Sequence, residues 1–372
     1  INILKSFLEN IPLAVEEWNT NIKTRNPQDD AFRIEVVHIL TNLTEKFGLH
    51  ELIYTDDSIV ANLVAIVKNV KNFLSEPAIQ TNFECQRLRR YFCGFLENVY
   101  TGLEAKSDLE KWLPFEARVA CFNYLKEWCG YGDSSAVTEE RYNAIISRIK
   151  TEKAGPSALA ILEIERKKLQ LASLKCMAIL CSGQIKKKIE IPGNLAVVSF
   201  DIPGLMNWIQ ALLESNVEKI KEIGHCASRN VIEKNFEFQD IISAVVQRCY
   251  VSQTSLESYF CLFVEIFMEK NTFEIVPDEL LCLASVLTAN ESFQVRKSAI
   301  ALLKYFEKKS LGSESLERYT EAICSKSSVV YKKVLFDLSN DVQNIKPESL
   351  YNRISYLTQN INLIFPAARE AI

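Results

Sequence analysis

One pattern recurs four times in this chain and constrains its fold more than any other feature. An apolar residue or alanine precedes an arginine, and apolar residues follow 3, 4, 7 and 10 positions after it. This spacing sets those residues in one stripe along an α-helix, which a lone helix cannot bury but a stack of helices can. The four copies are Phe32-Arg33 with Val36, Val37, Leu40 and Leu43; Leu88-Arg89 with Phe92, Cys93, Leu96 and Val99; Ala117-Arg118 with Cys121, Phe122, Leu125 and Trp128; and Val295-Arg296 with Ala299, Ile300, Leu303 and Phe306.

The pattern predicts an all-α fold of the HEAT/armadillo-like type, a helical-repeat solenoid of antiparallel helix pairs. Glycine and proline agree with this, because they number only 11 and 10 of 372 residues and leave few breaks between helices. Each arginine stands near the start of its helix, beside the stripe. We therefore expect its stem to pack and its charged head to remain in water.

Residues 186–204 interrupt the helical pattern around Pro192-Gly193. Their apolar residues alternate poorly, so the segment is either an extended connector or a short strand pair. The predicted organisation is a first half of helical repeats at 1–185, an irregular junction at 186–204 and a second half of repeats at 205–372. The sequence opens without methionine in the middle of an apolar pattern, and we interpret it as a fragment of a much larger protein.

Composition limits the class of protein. The net charge of −4 disfavours a general nucleic-acid binder, which normally carries a basic excess. The 11 cysteines are scattered over apolar helix faces without any CxxC pair, which is typical of a reduced, cytoplasmic protein. No run approaches the ~18 uncharged apolar residues of a membrane span, so we expect no transmembrane segment.

The sequence offers no constellation for catalysis. The three histidines, His38, His50 and His225, do not have the spacing of metal ligands, and His225 and Cys226 are adjacent and point in different directions on a helix. Dinucleotide-binding, phosphate-binding, nucleophile-elbow and zinc-protease motifs are all missing from the sequence. We therefore predict a protein that is not an enzyme and that needs no cofactor or metal.

Two basic clusters are the candidate partner-binding residues. The first is Arg166, Lys167 and Lys168 on a long predicted helix, and the second is Lys186, Lys187 and Lys188 just after that helix. A solvated helix face and a helix end that favours positive charge account for both clusters without a partner. The functional alternative is an acidic partner or an anionic membrane surface.

Two segments resemble a known family. Leu113-Pro114-Phe115-Glu116-Ala117-Arg118, leading to Trp128, and Leu169-Gln170-Leu171-Ala172-Ser173-Leu174-Lys175-Cys176-Met177 are similar to packing motifs of the Furry family of cell-morphogenesis proteins, above all its fungal Tao, Pag and Mor branch. Ser173 departs from the family pattern, which has alanine there. The resemblance implies a scaffold for an NDR-class kinase and its Mob co-activator, in the cytoplasm at the cell cortex or sites of polarised growth. It names no binding residue.

Two other functions remain open at the level of sequence. A transport or trafficking adaptor would be built from the same repeats, and periodicity cannot separate it from a kinase scaffold. A GTPase regulator on a helical scaffold would need a surface constellation that the sequence does not reveal.

Overall fold

The chain folds into α-helices, and this confirms the all-α prediction for the described part of the protein. The computed structural model describes residues 2–20, 26, 29–48, 53–132, 135–152, 156–191, 194–235, 248, 256–270, 284, 287, 290 and 292–309. The helices are α1 (Asn2–Thr20), α2 (Asp29–Gly48), α3 (Asp57–Ser75), α4 (Pro77–Gln80), α5 (Cys85–Ala105), α6 (Leu109–Trp112), α7 (Phe115–Cys129), α8 (Ser135–Thr151), α9 (Pro156–Leu180), α10 (Ile202–Leu213), α11 (Glu218–Lys234), α12 (Leu262–Lys270) and α13 (Phe293–Lys309). Ile53–Thr55 adds a 3₁₀ turn and Leu256–Cys261 a π-helical turn.

Capping residues fix several helix ends. The carboxylate of Asp56 accepts a hydrogen bond from the backbone N–H of Ser58 at 2.9 Å and so begins α3. Pro114 precedes α7 in an extended conformation, and Gly130 ends that helix at φ 61°. This left-handed conformation is costly for any residue with a Cβ, so glycine at the helix end stops α7 sharply.

Successive helices of one row lie side by side and run parallel. In the row α2, α5, α9, Thr41 donates to the carbonyl of Tyr91 at 2.9 Å. Further along, Glu97 pairs with Lys175 of α9 at 2.8 Å. Helices α1 and α3 are also neighbours, and Lys5 near the start of α1 pairs with Asp56 immediately before α3. A second contact in each pair lies in the same direction along both helices: Asn98 donates to the hydroxyl of Thr44 at 3.2 Å, Arg90 pairs with Glu165 at 3.1 Å, and Asn19 donates to the carbonyl of Asn69 at 3.2 Å. The paired helices are therefore parallel.

Helix α7 runs antiparallel to α9 of this row. Arg118, near the start of α7, reaches the carbonyl of Gln184 just beyond the end of α9. Parallel neighbours within a row and antiparallel partners between rows are the local geometry of stacked helical hairpins. The HEAT/armadillo-like class itself stays a prediction.

The predicted stripes face the interior. All four stripe residues of α5 are buried, and so are all four of α7. In α2, Val37 and Leu40 are buried while Val36 and Leu43 are half-buried. In α13, the side chains of Leu303 and Phe306 lie outside the described residues. The stripe prediction is confirmed most fully in α5 and α7, which have helices on several sides.

Three of the four arginines, by contrast, are buried, and the expectation that their heads would be in water was wrong for them. Arg33, Arg89 and Arg118 are exposed by only 7%, 0% and 1%. Arg33 pairs with Asp30 at 2.9 Å, and its guanidinium lies over the rings of Trp18 and Phe73. Buried guanidinium groups require acceptors, and neighbouring segments supply them.

Backbone carbonyls are the main acceptors for the other two buried arginines. Arg89 donates to the carbonyl of Ile79 at 2.9 Å. Arg118 donates to the carbonyl of Gln184 at 2.8 Å and, more weakly, to that of Leu180 at 3.5 Å. These carbonyls lie at or just beyond helix ends, where backbone carbonyls have no hydrogen-bond partner within the helix. The arginine therefore ties the start of one helix to the end of another. Arg296 of the fourth copy is half-exposed and donates to the carbonyl of Asn290 at 2.6 Å.

The segment that breaks the helical pattern is a strand pair. β1 (Lys186–Ile191) and β2 (Asn194–Ser199) are antiparallel, with Lys186 opposite Ser199 and Ile191 opposite Asn194. Of the two alternatives left open by the sequence, the structure adopts the short strand pair.

The chain separates into two units, Ile1–Val231 and Ile232–Ile372. The division into halves around a junction at 186–204 remains a prediction, and much of the second predicted half, including all of 310–372, lies outside the described residues. No helix in the described part of the chain is long and apolar enough to cross a membrane.

Candidate partner-binding surface

The first basic cluster lies in the first half of α9. Arg166 forms an ion pair with Glu139 of α8 and stacks over the ring of Tyr142 at 4.4 Å, so it contributes to the packing of α8 against α9. Lys167 and Lys168 are on the exposed side of the helix. Lys167 is within 3.8 Å of Glu163 on its own helix. Their heads are therefore the more accessible charges of this cluster.

The second cluster lies on β1. Lys187 pairs with Glu110 at 3.0 Å, and Glu110 also approaches Arg118 at 3.5 Å. Lys186 is half-buried, and the backbone of Lys188 pairs with Val197, while the side chain of Lys188 lies outside the described residues. From Lys168 to the end of α9 is about 18 Å at 1.5 Å per residue. The structure therefore does not join the two clusters into one patch.

A network that sequence analysis missed crosses the outer surface of α2, α5 and α9. His38 of α2 stacks on Tyr91 of α5, with ring centroids 4.2 Å apart and planes at 18°. The guanidinium of Arg90 lies 4.6 Å from the centroid of the Tyr91 ring. Arg90 then pairs with Glu165 of α9 at 3.1 Å. Each link joins neighbouring side chains, so the network connects the three helices, with Glu165 itself buried and Arg90 and Tyr91 half-buried.

Both ends of this network carry further charge. Glu35 approaches His38 at 3.4 Å on α2, and Lys168 approaches Glu165 at 3.7 Å on α9. We call the surface made by Glu35, His38, Tyr91, Arg90, Glu165 and Lys168 the outer face. It includes Lys168 from the first basic cluster. Glu165 shares α9 with Lys168, whereas Glu35, His38, Arg90 and Tyr91 belong to helices distant in sequence. Only the parallel stacking of α2, α5 and α9 therefore reveals the group.

Apolar side chains are exposed beside the outer face. Ile161 and Ile164 are 47% and 53% exposed on α9, about two turns and one turn before Lys168. Ile39 is 45% exposed on α2, next to His38 in sequence. Single exposed apolar residues are ordinary, but aromatic, arginine and isoleucine side chains gathered together are typical of protein interfaces. A helical wheel of α9 would have flagged Ile161 and Ile164, because both fall outside its buried stripe.

A separate cleft of about 320 Å³ lies between the start of α2, residues 81–84 and the second half of α8. Its floor is apolar, with Phe83, Ile145 and Ile149. Its polar groups already have partners: Asp30 holds Arg33, and Arg148 donates to the hydroxyl of Thr81 at 2.9 Å. The cleft contributes to the packing of these three segments, and its residues do not form an acid–base or nucleophilic arrangement.

The buried cysteine thiols contribute to packing rather than to reactivity. Burial raises the pKa of the Cys121 thiol to about 11, although nearby Lys71 lowers it. Burial also raises the pKa of Cys93, Cys176 and Cys181, so all four remain protonated at neutral pH and are poor nucleophiles. All eight described cysteines are free thiols, while Cys249, Cys282 and Cys324 lie outside the described residues.

Histidines and carboxylates give no metal site in the described residues. His50 lies outside them, and burial lowers the pKa of His225. Within the described ranges, no group of three or more His, Cys, Asp or Glu side chains could hold a metal ion.

Comparisons with known proteins extend the resemblance. No family model matches the chain. It is 29% identical over 371 residues to the cell morphogenesis protein PAG1 of Saccharomyces cerevisiae, which covers 98% of this chain and 15% of that protein. It is 27% identical over 341 residues to the cell polarity protein mor2 of Schizosaccharomyces pombe, covering 89% of this chain and 15% of that protein. Both are fungal proteins of the Furry family, which confirms the resemblance carried by the two sequence segments. The chain thus spans about 15% of the length of these relatives.

Proposed function

We propose that this chain, similar over nearly its whole length to fungal Furry-family proteins, is a non-catalytic part of a scaffold in cell morphogenesis and polarity. One observation carries the proposal: the alignment with a cell morphogenesis protein covers 98% of the chain. The names of the relatives describe morphogenesis and polarity rather than a reaction. We place the protein in the cytoplasm, at the cell cortex or at sites of polarised growth.

The partners in this proposal are an NDR-class kinase and its Mob co-activator. The parallel rows of helices support a binding role, because stacked helices present a broad, rigid surface on which several side chains can act together. The candidate contacts are Arg166, Lys167, Lys168, Lys186, Lys187 and Lys188. Lys167 and Lys168 are the strongest of these, because both are exposed on α9.

Affinity capture of the complete protein tests the proposal. Quantitative mass spectrometry should recover the kinase and Mob with the wild-type protein. Charge reversal of Lys167, Lys168 and Lys187 should reduce this recovery in a salt-sensitive way and leave the melting temperature nearly unchanged. Lys150→Glu and Lys219→Glu are the matched controls, since both lysines are exposed on other helices. Recovery of coat or cargo proteins instead would support the trafficking adaptor, and recovery of a GTPase would support the regulator.

A further inference from the structure

The side of α2 that faces away from α5 carries apolar side chains that are only partly buried. We name them the α2 flank: Phe32, Val36, Ile39 and Leu43. Phe32 is 65% and Ile39 45% exposed, while Val36 and Leu43 are half-buried. We propose that the α2 flank binds a further helical hairpin of the same repeat, supplied by the same polypeptide outside these 372 residues. The inference goes beyond the proposed function, because it rests on the geometry of the repeat and not on any kinase.

Spacing makes the α2 flank one continuous strip. Its members follow one another by 4, 3 and 4 positions, so at about 100° per residue they lie within about 60° around the helix axis. Thr41, which donates to the carbonyl of Tyr91 in α5 at 2.9 Å, is nine positions from Phe32 and therefore about half a turn away around that axis. The α2 flank thus lies on the side of the helix opposite α5.

The same strip recurs on α5, and there it is buried. Its members lie one position before the repeated arginine and 3, 6 and 10 positions after it, in α2 and in α5 alike. On α5 the exposed fractions are 1%, 1%, 0% and 0%, for Leu88, Phe92, Phe95 and Val99. Apolar residues in matching positions therefore differ in how far neighbouring segments cover them.

The buried strip of α5 lies beside the contact with the preceding helix of the row, α2. Asn98 of α5 donates to the carbonyl of Thr41 at 3.0 Å, and Thr41 donates to the carbonyl of Tyr91 at 2.9 Å. Phe95 is three positions from Asn98 and four from Tyr91, and Leu88 is three from Tyr91. Positions three and four apart are neighbours on a helix surface. By the same repeat, the α2 flank lies beside the place where a helix preceding α2 in the row would pack.

The length of the relatives and the charges around the α2 flank favour this occupant. The chain spans about 15% of the length of PAG1 and of mor2, so proteins of this kind have ample sequence for further hairpins. Exposed Asp29 and Glu35 lie three positions on either side of Phe32, and exposed Lys46 lies three positions beyond Leu43. Two carboxylates and one ammonium group around an apolar strip do not attract an anionic membrane.

The repeat also predicts the chemistry that the occupant presents. A hairpin that continues the row should present to α2 what α2 presents to α5. On α2 that side includes Thr41 and Thr44, whose hydroxyls contact Tyr91 and Asn98 of α5. Small and β-branched side chains of this kind let neighbouring helices approach closely, and α5 meets Thr41 at Gly94.

Thiol labelling of the complete protein tests whether the α2 flank is covered. Ile39→Cys carries the probe, and Val137→Cys on α8 is its matched control because Ile39 and Val137 are 45% and 49% exposed. Brief treatment with iodoacetamide, followed by peptide mapping, gives the two labelling rates. A covered flank should make the rate at position 39 lower by about tenfold or more than the rate at position 137.

Photochemical cross-linking of the complete protein identifies the occupant. The photoreactive analogue p-benzoylphenylalanine replaces Phe32 and, as a control of equal 65% exposure, Phe293. Unlabelled and ¹⁵N-labelled proteins are mixed before irradiation, and mass spectrometry identifies the joined peptides. Position 32 should cross-link to a helical segment of the same polypeptide outside these 372 residues, with both peptides carrying the same isotope. Position 293 should not cross-link to that segment.

Several results would overturn the proposal. Equal labelling rates at positions 39 and 137 would show that the flank is open. Cross-links between peptides of different isotope would make a second copy the occupant, and cross-links to another protein would make it a separate partner. The proposal also fails if position 32 gives no cross-link, or if Ile39→Cys is protected from labelling only when phosphatidylserine vesicles are present. Capture of the kinase and Mob is a separate measurement, so failure of this inference leaves the scaffold function standing.

Discussion

Arg118 offers the sharpest test of how the helices are held together. Arg118→Ala removes a buried guanidinium that donates to the carbonyls of Gln184 and Leu180 at 2.8 Å and 3.5 Å. A hydrogen bond from a charged donor contributes about 1.5–3 kcal/mol, and the longer contact adds less. The expected loss is about 2–4 kcal/mol in the free energy of unfolding, or about 4–16 °C in melting temperature for a unit of this size.

Gly183 makes the test specific to the contact. It lies next to the guanidinium, and a methyl group at its Cβ position would overlap Arg118. Gly183→Ala must therefore push the guanidinium off its two carbonyls and should cost about 1–3 kcal/mol. In the Arg118→Ala background the overlap is gone, so the same change should be nearly neutral. The double-mutant cycle should therefore give a coupling of about 1–3 kcal/mol, equal to the cost of Gly183→Ala alone.

Urea unfolding followed by circular dichroism gives the four free energies of the cycle. Arg296→Ala is the control from the same sequence pattern, since Arg296 is half-exposed and should lose less stability. Additive effects of Gly183→Ala and Arg118→Ala would refute the reasoning. So would a loss below about 1 kcal/mol for Arg118→Ala, because a buried charged donor with two carbonyl acceptors should contribute more.

Two further predictions concern protonation. Hydrogen bonds from Ser58 and then from Lys5 lower the pKa of Asp56 from 3.8 to about 2. The stability that this carboxylate contributes by capping α3 is therefore fully present above the unfolded pKa and is lost as the pH falls through the folded pKa. Asp56→Ala should therefore lower the melting temperature at neutral pH, and calorimetry should show this difference shrinking between about pH 4 and pH 2; a constant difference would contradict the cap. Iodoacetamide at about pH 8 should label Cys226 before the other described cysteines, because Cys226 is exposed while burial raises the pKa of Cys121 to about 11. Equal labelling rates in peptide mapping would contradict the packing.

Sequence was sufficient for the elements that depend on local pattern. The stripe after Arg89 predicts a buried face for α5, and Phe92, Cys93 and Leu96 are all buried there. Periodicity works because the helical spacing and the burial of the stripe are properties of neighbouring positions. The same logic indicates the departure from helix at 186–204, although poor alternation could not separate a connector from the strand pair.

The sequence could not predict contacts between segments that lie far apart along the chain. The acceptors of Arg118 lie 62 and 66 positions further along the chain. Nothing local to Arg118 shows that these carbonyls come within reach, so the solvent-exposed position expected for the arginine head was the natural inference. The outer face depends in the same way on Tyr91 meeting His38 from another helix. The first feature follows from the packing of α7 against α9 and the second from the parallel stacking of α2 and α5. No single pattern in the sequence encodes either.

Arg118 and the two isoleucines Ile161 and Ile164 depart from ordinary burial in opposite directions. The charged guanidinium of Arg118 is buried and donates to the backbone carbonyl of Gln184, just beyond the end of α9. Apolar side chains are outside at Ile161 and Ile164, on that same helix. The buried arginine stabilises one arrangement of helices, because a different arrangement would leave a guanidinium without acceptors. The isoleucines, about half exposed, bury less apolar surface and should contribute less to the stability of that arrangement. Substitution should therefore separate the two: Arg118→Ala should lower the free energy of unfolding clearly, whereas Ile164→Asp should change it much less.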